Sequence, residues 1–570
     1  MKRSLIIVIS VLDVVLLSGL GVSLYFLVLN NGGKSQGAVA TATEECTDAA
    51  VKILKNGGSA VDSAVTATLC QGLTVPQSSG LGGGFIATVY IKETGMLETI
   101  NSREVAPLLA TKDMFEDDLS SREGGLAIAV PTELKGLYEL HQRYGKLSWK
   151  EVVQPVIEIA ESGYKVTKYL ASIFEERGDK IKTMPGFELF TDPKTGEFYK
   201  QDNIIKNPKL AKTFQVIADE GSDAIYNNGS LAQGIIDEIQ AAGGIITMKD
   251  LLEYQPKWGK PIESKLFNGD SLYTFPLPAS GHIITFIINI FNGFDFQNMT
   301  YEEHQSDKLI YHRIMETYKF AFAKRSKLGD EDSEEVLKTL EELVSMENAE
   351  AIRKSIQDDK TFNDYEHYGA SASNVEDHGT GHISILAPNG DAVAITSTIN
   401  FIMGSYVMSE STGIIYNNEM NDFSIPAAKS DGLLPAPANF VLPRKSPMSS
   451  MSPVIVVNKD KEVTQVIGGA GGILIMTSVI QCIVYHLYLN RSIQDTLAAK
   501  RLHHQLQPMQ VQYENEYDPA ILRFLEAKGH KTEWQRPSVG GFAAVVAITK
   551  RDGKLEGAID PRRLGKATVF

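Results

Sequence analysis

Cysteine is scarce. The 570 residues hold three, Cys46, Cys70 and Cys482, with no Cys-x-x-Cys pair, and no His/Cys spacing suggests zinc. Basic charge is also short: 55 Lys and Arg face 70 Asp and Glu, a formal net charge of -15. With no basic cluster to offset that deficit, a nucleic-acid role is argued against. Internal repeats and low-complexity tracts are absent. Phosphate-binding loops are absent too: Gly80-Leu81-Gly82-Gly83-Gly84 lacks the spacing, and Gly468 to Gly472 is followed by Ile473-Leu474 rather than Lys-Ser/Thr. Ser449-Ser450 has no Gly-x-Ser-x-Gly frame and is a poor serine nucleophile. Too few oxygen ligands cluster around Glu419 and Asp422 for a calcium loop.

What is present is a globular composition, 43% hydrophobic and 22% charged, in a chain long enough for two or three domains or one large layered unit. Residues 5–29 are almost wholly apolar and follow Lys2 and Arg3, so they read as a membrane span with residues 1–4 in the cytoplasm and everything after about residue 30 outside. Asp13 is anomalous there, costing roughly 2.5–3.5 kcal/mol at a helix centre. The preferred reading is an uncleaved type II signal-anchor; a long, cleaved signal is the alternative. Cys46 and Cys70 lie in two helical patterns separated by Asn56-Gly57-Gly58, which would fold them side by side. A disulfide between them then leaves Cys482 as a buried thiol in an apolar helix. Sequons at Asn228, Asn298 and Asn490 suit an extracellular surface.

Along the chain, residues 38–55 read as a helix closed by Gly57, and a second helix runs from about Ser59 to Gln71. The glycine run at 80–84 reads as tight strand entry, leading into Phe85 to Lys92 and a second strand ending near Arg103. From Pro131 to about 357 the pattern is mostly helical, with amphipathic stretches near 150–162, 231–242, 281–292, 305–324 and 333–356. Residues 358–379 read as an exposed linker. Strand pairs follow at His382 to Leu386 with Ala392 to Thr398, at Val454 to Val457 with Val463 to Ile467, and at Phe542 to Thr549 with Leu555 to Ile559. An apolar helix spans 473–489. Strands grouped around a helical layer predict an α+β fold, a layered αββα sandwich rather than alternating βαβ units.

Chemistry concentrates around Asp377-His378-Gly379-Thr380-Gly381-His382. A threonine hydroxyl needs a base within hydrogen-bond reach. Cutting the Gly379–Thr380 bond would supply one on the same residue, because a free α-amine titrates at roughly 7.7–8.0. His378 and His382 flank Thr380 but lack a third metal ligand nearby. Gly468 to Gly472, at a strand-to-helix junction, can offer N–H groups to an oxyanion. Glu419 and Asp422 can grip an ammonium together, and Arg103 can take a carboxylate bidentately. Singly, these read as a packed turn, a solvated loop and a surface arginine. Together they suit a zwitterionic amino-acid substrate.

With these residues assembled, the chain from about Ala38 onward resembles the γ-glutamyltransferases (γ-glutamyl transpeptidases), which are N-terminal-nucleophile hydrolases. The resemblance rests on Asn56-Gly57-Gly58-Ser59-Ala60-Val61-Asp62, Pro76 to Gly84, Ser102-Arg103-Glu104, Gly379-Thr380-x-His382, Thr396 to Asn400, Asn417 to Asp422, Ser449-Ser450-Met451 and Gly471-Gly472, in matching order. It implies self-cleavage before Thr380 into a large subunit (30–379) and a small one (380–570) that stay together as a heterodimer. Thr380 would attack the γ-carbonyl of glutathione or a conjugate, its freed amine acting as base. Thr398 would orient Thr380, and the Gly471 and Gly472 N–H groups would form the oxyanion hole. Arg103, Ser449 and Ser450 would hold the glutamyl α-carboxylate, and Asn400, Glu419 and Asp422 the α-ammonium. Water, an amino acid or a dipeptide would take the γ-glutamyl group, and no metal or organic cofactor is implied. The anchor matches membrane-bound animal members. Gly381, Ser452, Ile473 and the tail from Asp560 to Phe570 depart from the family pattern, which bears on acceptor preference and cleavage rate. Two other readings remain: a related amidase of other acyl amides, and a non-catalytic ectodomain that keeps the fold.

Overall fold

A computed structural model describes residues 36–294, 303, 306–374, 379–427, 433–535 and 541–570. The expected anchor at 5–29, Asn298 and His378 lie outside the described residues. Among the described residues, no helix is long and apolar enough to cross a membrane.

Two antiparallel sheets form the centre. Their strands are β1 (Ala38–Thr41), β2 (Gly84–Ile91), β3 (Met96–Ser102), β4 (Lys257–Gly259), β5 (Ile262–Lys265), β6 (Ser271–Thr274), β7 (Gly381–Leu386), β8 (Ala392–Thr398), β9 (Val454–Val457), β10 (Val463–Ala470), β11 (Ala544–Arg551), β12 (Lys554–Ile559) and β13 (Lys566–Val569). The seven-stranded sheet runs β13-β1-β7-β8-β2-β3-β4 and the six-stranded sheet β12-β11-β10-β9-β6-β5. Side chains alternate between two apolar environments, as a period of two requires. Ala38, Ala40, Ala392 and Ala394 meet Ile455, Val457, Val546 and Ile548 between the sheets. Their neighbours Val39, Ile383, Ile385, Val393 and Ile395 face one helical layer, and Val454, Val456, Val545 and Ala547 face the other.

The first helical layer includes α1 (Glu44–Lys55), α2 (Ala60–Thr74), α3 (Glu133–Tyr144) and α4 (Trp149–Ser162); the second includes α5 (Gly281–Phe291), α6 (Leu309–Arg325), α7 (Glu334–Val344), α8 (Met346–Ser355) and α9 (Leu474–Ile483). The expected αββα order is thus present. Helix α2 is buried on nearly every side because the sheet lies on one flank and α1, α3 and α4 on the others. A capping box fixes its start: Ser59 Oγ accepts from the Asp62 amide, and the Asp62 carboxylate accepts from the Ser59 amide. The Cys46–Cys70 disulfide ties α1 to α2, and Cys482 is a buried free thiol in α9.

Several expectations need correction. The helix expected from residue 38 begins at Glu44, because Ala38–Thr41 is a strand held between β7 and β13. The helical stretch 131–357 contains the short strands β4, β5 and β6. The pattern at 333–356 is two helices, since Ser345 ends α7 and caps α8. The helix expected over 473–489 is α-helical only to Ile483 and then widens into a π turn at Val484–Tyr488. Residues 358–379 are not exposed throughout: Thr361, Tyr368 and Ala372 are buried, and the Thr361 and Tyr368 hydroxyls donate to Glu316 at 2.5 and 2.9 Å.

Candidate active site

Thr380 immediately precedes β7, whose ladder to β8 begins at Gly381↔Ser397, and Thr398 is the next residue after Ser397. Thr380 Oγ1 accepts from the Gly471 amide at 2.9 Å. That amide lies where β10 gives way to α9; Gly471 (φ 140°) and Gly472 (φ 61°) both take positive φ, which glycine tolerates. Gly379 (φ 66°) and Thr380 (φ 152°) are positive as well. For a β-branched residue this is a strained backbone, worth about 1–3 kcal/mol. Position 379 itself admits only glycine, since a Cβ there would sit 2.1 Å from the Asn400 carbonyl oxygen.

The Thr398 hydroxyl accepts from the Asn400 amide at 2.8 Å, which leaves its own proton to give. Asn400 (φ 65°) donates its side-chain amide to the Asn418 carbonyl at 3.2 Å. The run Gly82–Gly84 is tight strand entry, as expected: a Cβ on Gly83 would meet the Thr398 carbonyl oxygen at 1.9 Å.

Arg103, at the end of β3, is no surface residue; it is 1% exposed. Its guanidinium donates to Asp422 Oδ2 at 2.6 Å, to the Pro447 carbonyl at 2.8 Å and to the Met448 carbonyl at 3.0 Å, and it pairs with Glu419 Oε1 at 2.5 Å. Burial opposes its charge, but Glu419 and Asp422 outweigh burial and hold its pKa above the ordinary value. The cation expected to bind a carboxylate and the carboxylates expected to bind an ammonium thus neutralise one another. Ser449 Oγ accepts from the Met451 amide at 3.2 Å, and Ser450 Oγ accepts from Arg325 at 3.1 Å.

Sequence reasoning missed several supporting groups. Asn439 donates to the Asp422 carbonyl at 2.8 Å and accepts from the Met448 amide at 3.0 Å, joining two walls around Arg103. Asn417 accepts from the amides of Ala129 (3.0 Å) and Glu419 (2.9 Å). Glu104 and Glu133 are buried carboxyls, each pushed up to about 8, chiefly by burial; Arg103 pulls Glu104 back and Ser397 pulls Glu133 back. Glu133 accepts from the Ser397 hydroxyl, which lies 2.7 Å from Ser79 Oγ. Glu104 and Asn417 stand inside motifs that carry the resemblance, but composition and periodicity do not separate a buried Asn439 in a short turn or Glu133 at a helix start from solvated ones.

His382 is fully enclosed, with its ring nitrogens on Thr396 Oγ1 (2.8 Å) and Ser384 Oγ (3.2 Å). Burial drives its pKa down to about 3, so it is neutral and serves packing. His312, Glu316 and His530 bring three metal-type ligands together. Glu316 is already engaged there by Thr361, Tyr368 and the Lys319 ammonium at 3.1 Å, and the two imidazoles bond each other at 2.8 Å. An ion pair therefore fills that cluster. Asn228 and Asn490 are both exposed.

A threonine heading an inner strand of an αββα sandwich, with a glycine turn against its hydroxyl, is the fold of the N-terminal-nucleophile hydrolases. The sequence profile described as Gamma-glutamyltranspeptidase matches residues 46–570, and the chain belongs to that family. It is 41% identical to Scoloptoxin SSD14 of Scolopendra dehaani over 535 residues, 93% of this chain and 92% of that protein. It is 38% identical to Glutathione hydrolase 2 of Arabidopsis thaliana over 551 residues, 93% of each. The solved cephalosporin acylase of Bacillus halodurans shares the fold, with a TM-score of 0.79 and 24% identity over 94% of this chain and 96% of that one.

Proposed function

We propose that this enzyme cuts its own chain between Gly379 and Thr380 and then transfers γ-glutamyl groups from glutathione and its conjugates through a Thr380 ester. The observation that carries this reading is the Thr380 hydroxyl held 2.9 Å from the Gly471 amide, beside a scissile bond flanked by two positive-φ residues. In the uncut chain the hydroxyl attacks the Gly379 carbonyl. The C–N bond breaks as the C–O bond forms, the nitrogen gains the proton, and water hydrolyses the ester. The residues 30–379 and 380–570 become large and small subunits, and strain at Thr380 is released.

In turnover, the freed amine takes the hydroxyl proton as Oγ1 attacks the γ-carbonyl, and passes it to the departing cysteinylglycine amine. The N–H groups of Gly471 and Gly472 receive the oxyanion. Thr398, next to the Ser397 that pairs with Gly381, orients it. A glutamyl head group replaces the internal ion pair with two external ones: its α-carboxylate takes Arg103, with Ser449 and Ser450, while its α-ammonium takes Glu419, Asp422 and Asn400. Water, an amino acid or a dipeptide then attacks the ester. The reading includes a type II membrane anchor at 5–29, an extracellular catalytic part and glycans on exposed sequons.

The fold shared with a cephalosporin acylase supports a second reading, an amidase of other acyl amides. Competition separates them. With a chromogenic γ-glutamyl anilide as donor, glutamate is expected to inhibit and glutarate, which lacks the α-ammonium, to leave the rate unchanged. Equal inhibition by both would favour the acylase-like reading.

A further inference from the structure

Gly381 follows the nucleophile, and its φ lies outside the left-handed region, so backbone conformation does not demand glycine there. Space does. A Cβ at 381 would lie 2.1 Å from Gln71 Nε2, 2.6 Å from its Cδ and 3.1 Å from its Oε1. Gln71 extends from the last turn of α2, is 1% exposed, and has no hydrogen-bond partner on either amide atom. Enclosed in this way, the amide cannot swing out to water. A buried, unpartnered amide lowers stability, so an apolar residue would serve the core better.

We propose that Gln71 is a positioning residue for the nucleophile. Its side chain fills the volume that a side chain at 381 would occupy and clamps the Thr380–Gly381 unit against the Gly471 turn. Glycine beside a nucleophile frees the backbone, and an ångström of drift there is enough to slow the reaction. Gln71 removes that freedom from the helical side of β7, without touching substrate. Position 381 and position 71 therefore form one complementary pair. The inference rests on Thr380 being the nucleophile.

The test is a compensation cycle on the full chain: Gln71→Ala, Gly381→Ala, the double variant, Gln71→Met, and Thr380→Ala as a control. Self-cleavage half-time, kcat, donor KM and Tm are measured for each. Each of the two alanine variants is expected to slow self-cleavage and kcat by about ten- to a hundredfold, with KM nearly unchanged. Gln71→Met, which refills the volume, is expected to recover most of the rate with an equal or higher Tm. The double variant, in which the new methyl takes over the contact, is expected to be faster than either single one. Unchanged rates in both single variants, or a double variant slower than both, would overturn the clamp. An active, self-cleaving Thr380→Ala would instead overturn the nucleophile reading on which it rests.

Discussion

Arg103 shows what a buried charge needs. It lies among two carboxylates and two carbonyls at 1% exposure, so removing it outright would leave Glu419 and Asp422 facing each other, a loss of about 3–5 kcal/mol. Asp422→Asn is the milder probe, because Glu419 still pairs with the guanidinium. If Asp422 receives the substrate ammonium, this variant is expected to raise the donor KM at least about tenfold. Its self-cleavage half-time should stay within about twofold of wild type, since no ammonium is bound during that step. An unchanged KM would remove Asp422 from the head-group site. Its identity as a candidate was legible because two carboxylates stood three residues apart among asparagines. Its pairing with Arg103 was not, because the two are 319 residues apart in sequence and nothing local encodes the contact.

Helix α3 enters the sheet through Glu133, whose buried carboxyl meets Ser397 on β8. Burial raises its pKa from an ordinary 4.5 to about 8, so the folded chain keeps a proton that the unfolded chain loses between those values. The stability it contributes is fully present at acidic pH and is lost as pH rises through about 8. Glu133→Gln mimics the protonated form and does not titrate. The Tm of the variant minus that of wild type is therefore expected to grow by about 2 °C or more between pH 5 and 8; a flat or falling difference would mean the carboxyl is ionised in the fold.

Local residue pattern governs which elements can be read from the chain. Ala392–Thr398 and Val454–Val457 carried clean strand signals between turns and kept their expected bounds. Ala38–Thr41 merged with the following helix because small apolar residues buried on both faces show no alternation, and one partner, β13, lies at the far end of the chain. Strands β4 and β5 vanished into the helical stretch because they are short, partly polar and end their sheets. The Gln71–Gly381 contact was illegible for a similar reason: a glutamine in an apolar helix names no partner.

Across the whole molecule, the two segments on either side of Gly379 are interleaved. In the seven-stranded sheet β7 is hydrogen-bonded between β1 and β8, while β8 pairs with β2; in the other sheet β9 pairs with β6. Cleavage at 379 cuts none of these pairings. The two pieces are therefore expected to co-elute on size exclusion and to separate only in denaturant. The disulfide described joins Cys46 to Cys70, both within 30–379, so a denaturing gel without reductant should already resolve two bands. A single band that splits only on reduction would point to a covalent link between the pieces.

Self-cleavage at Thr380 is the claim on which the rest depends. Its most direct test is N-terminal sequencing of the bands from purified full-length protein. A fragment beginning Thr-Gly-His-Ile-Ser, absent from Thr380→Ala, is the expected result. A wild-type chain that turns over γ-glutamyl donor while remaining uncut would contradict the account, because the amine that serves as base would never have been freed.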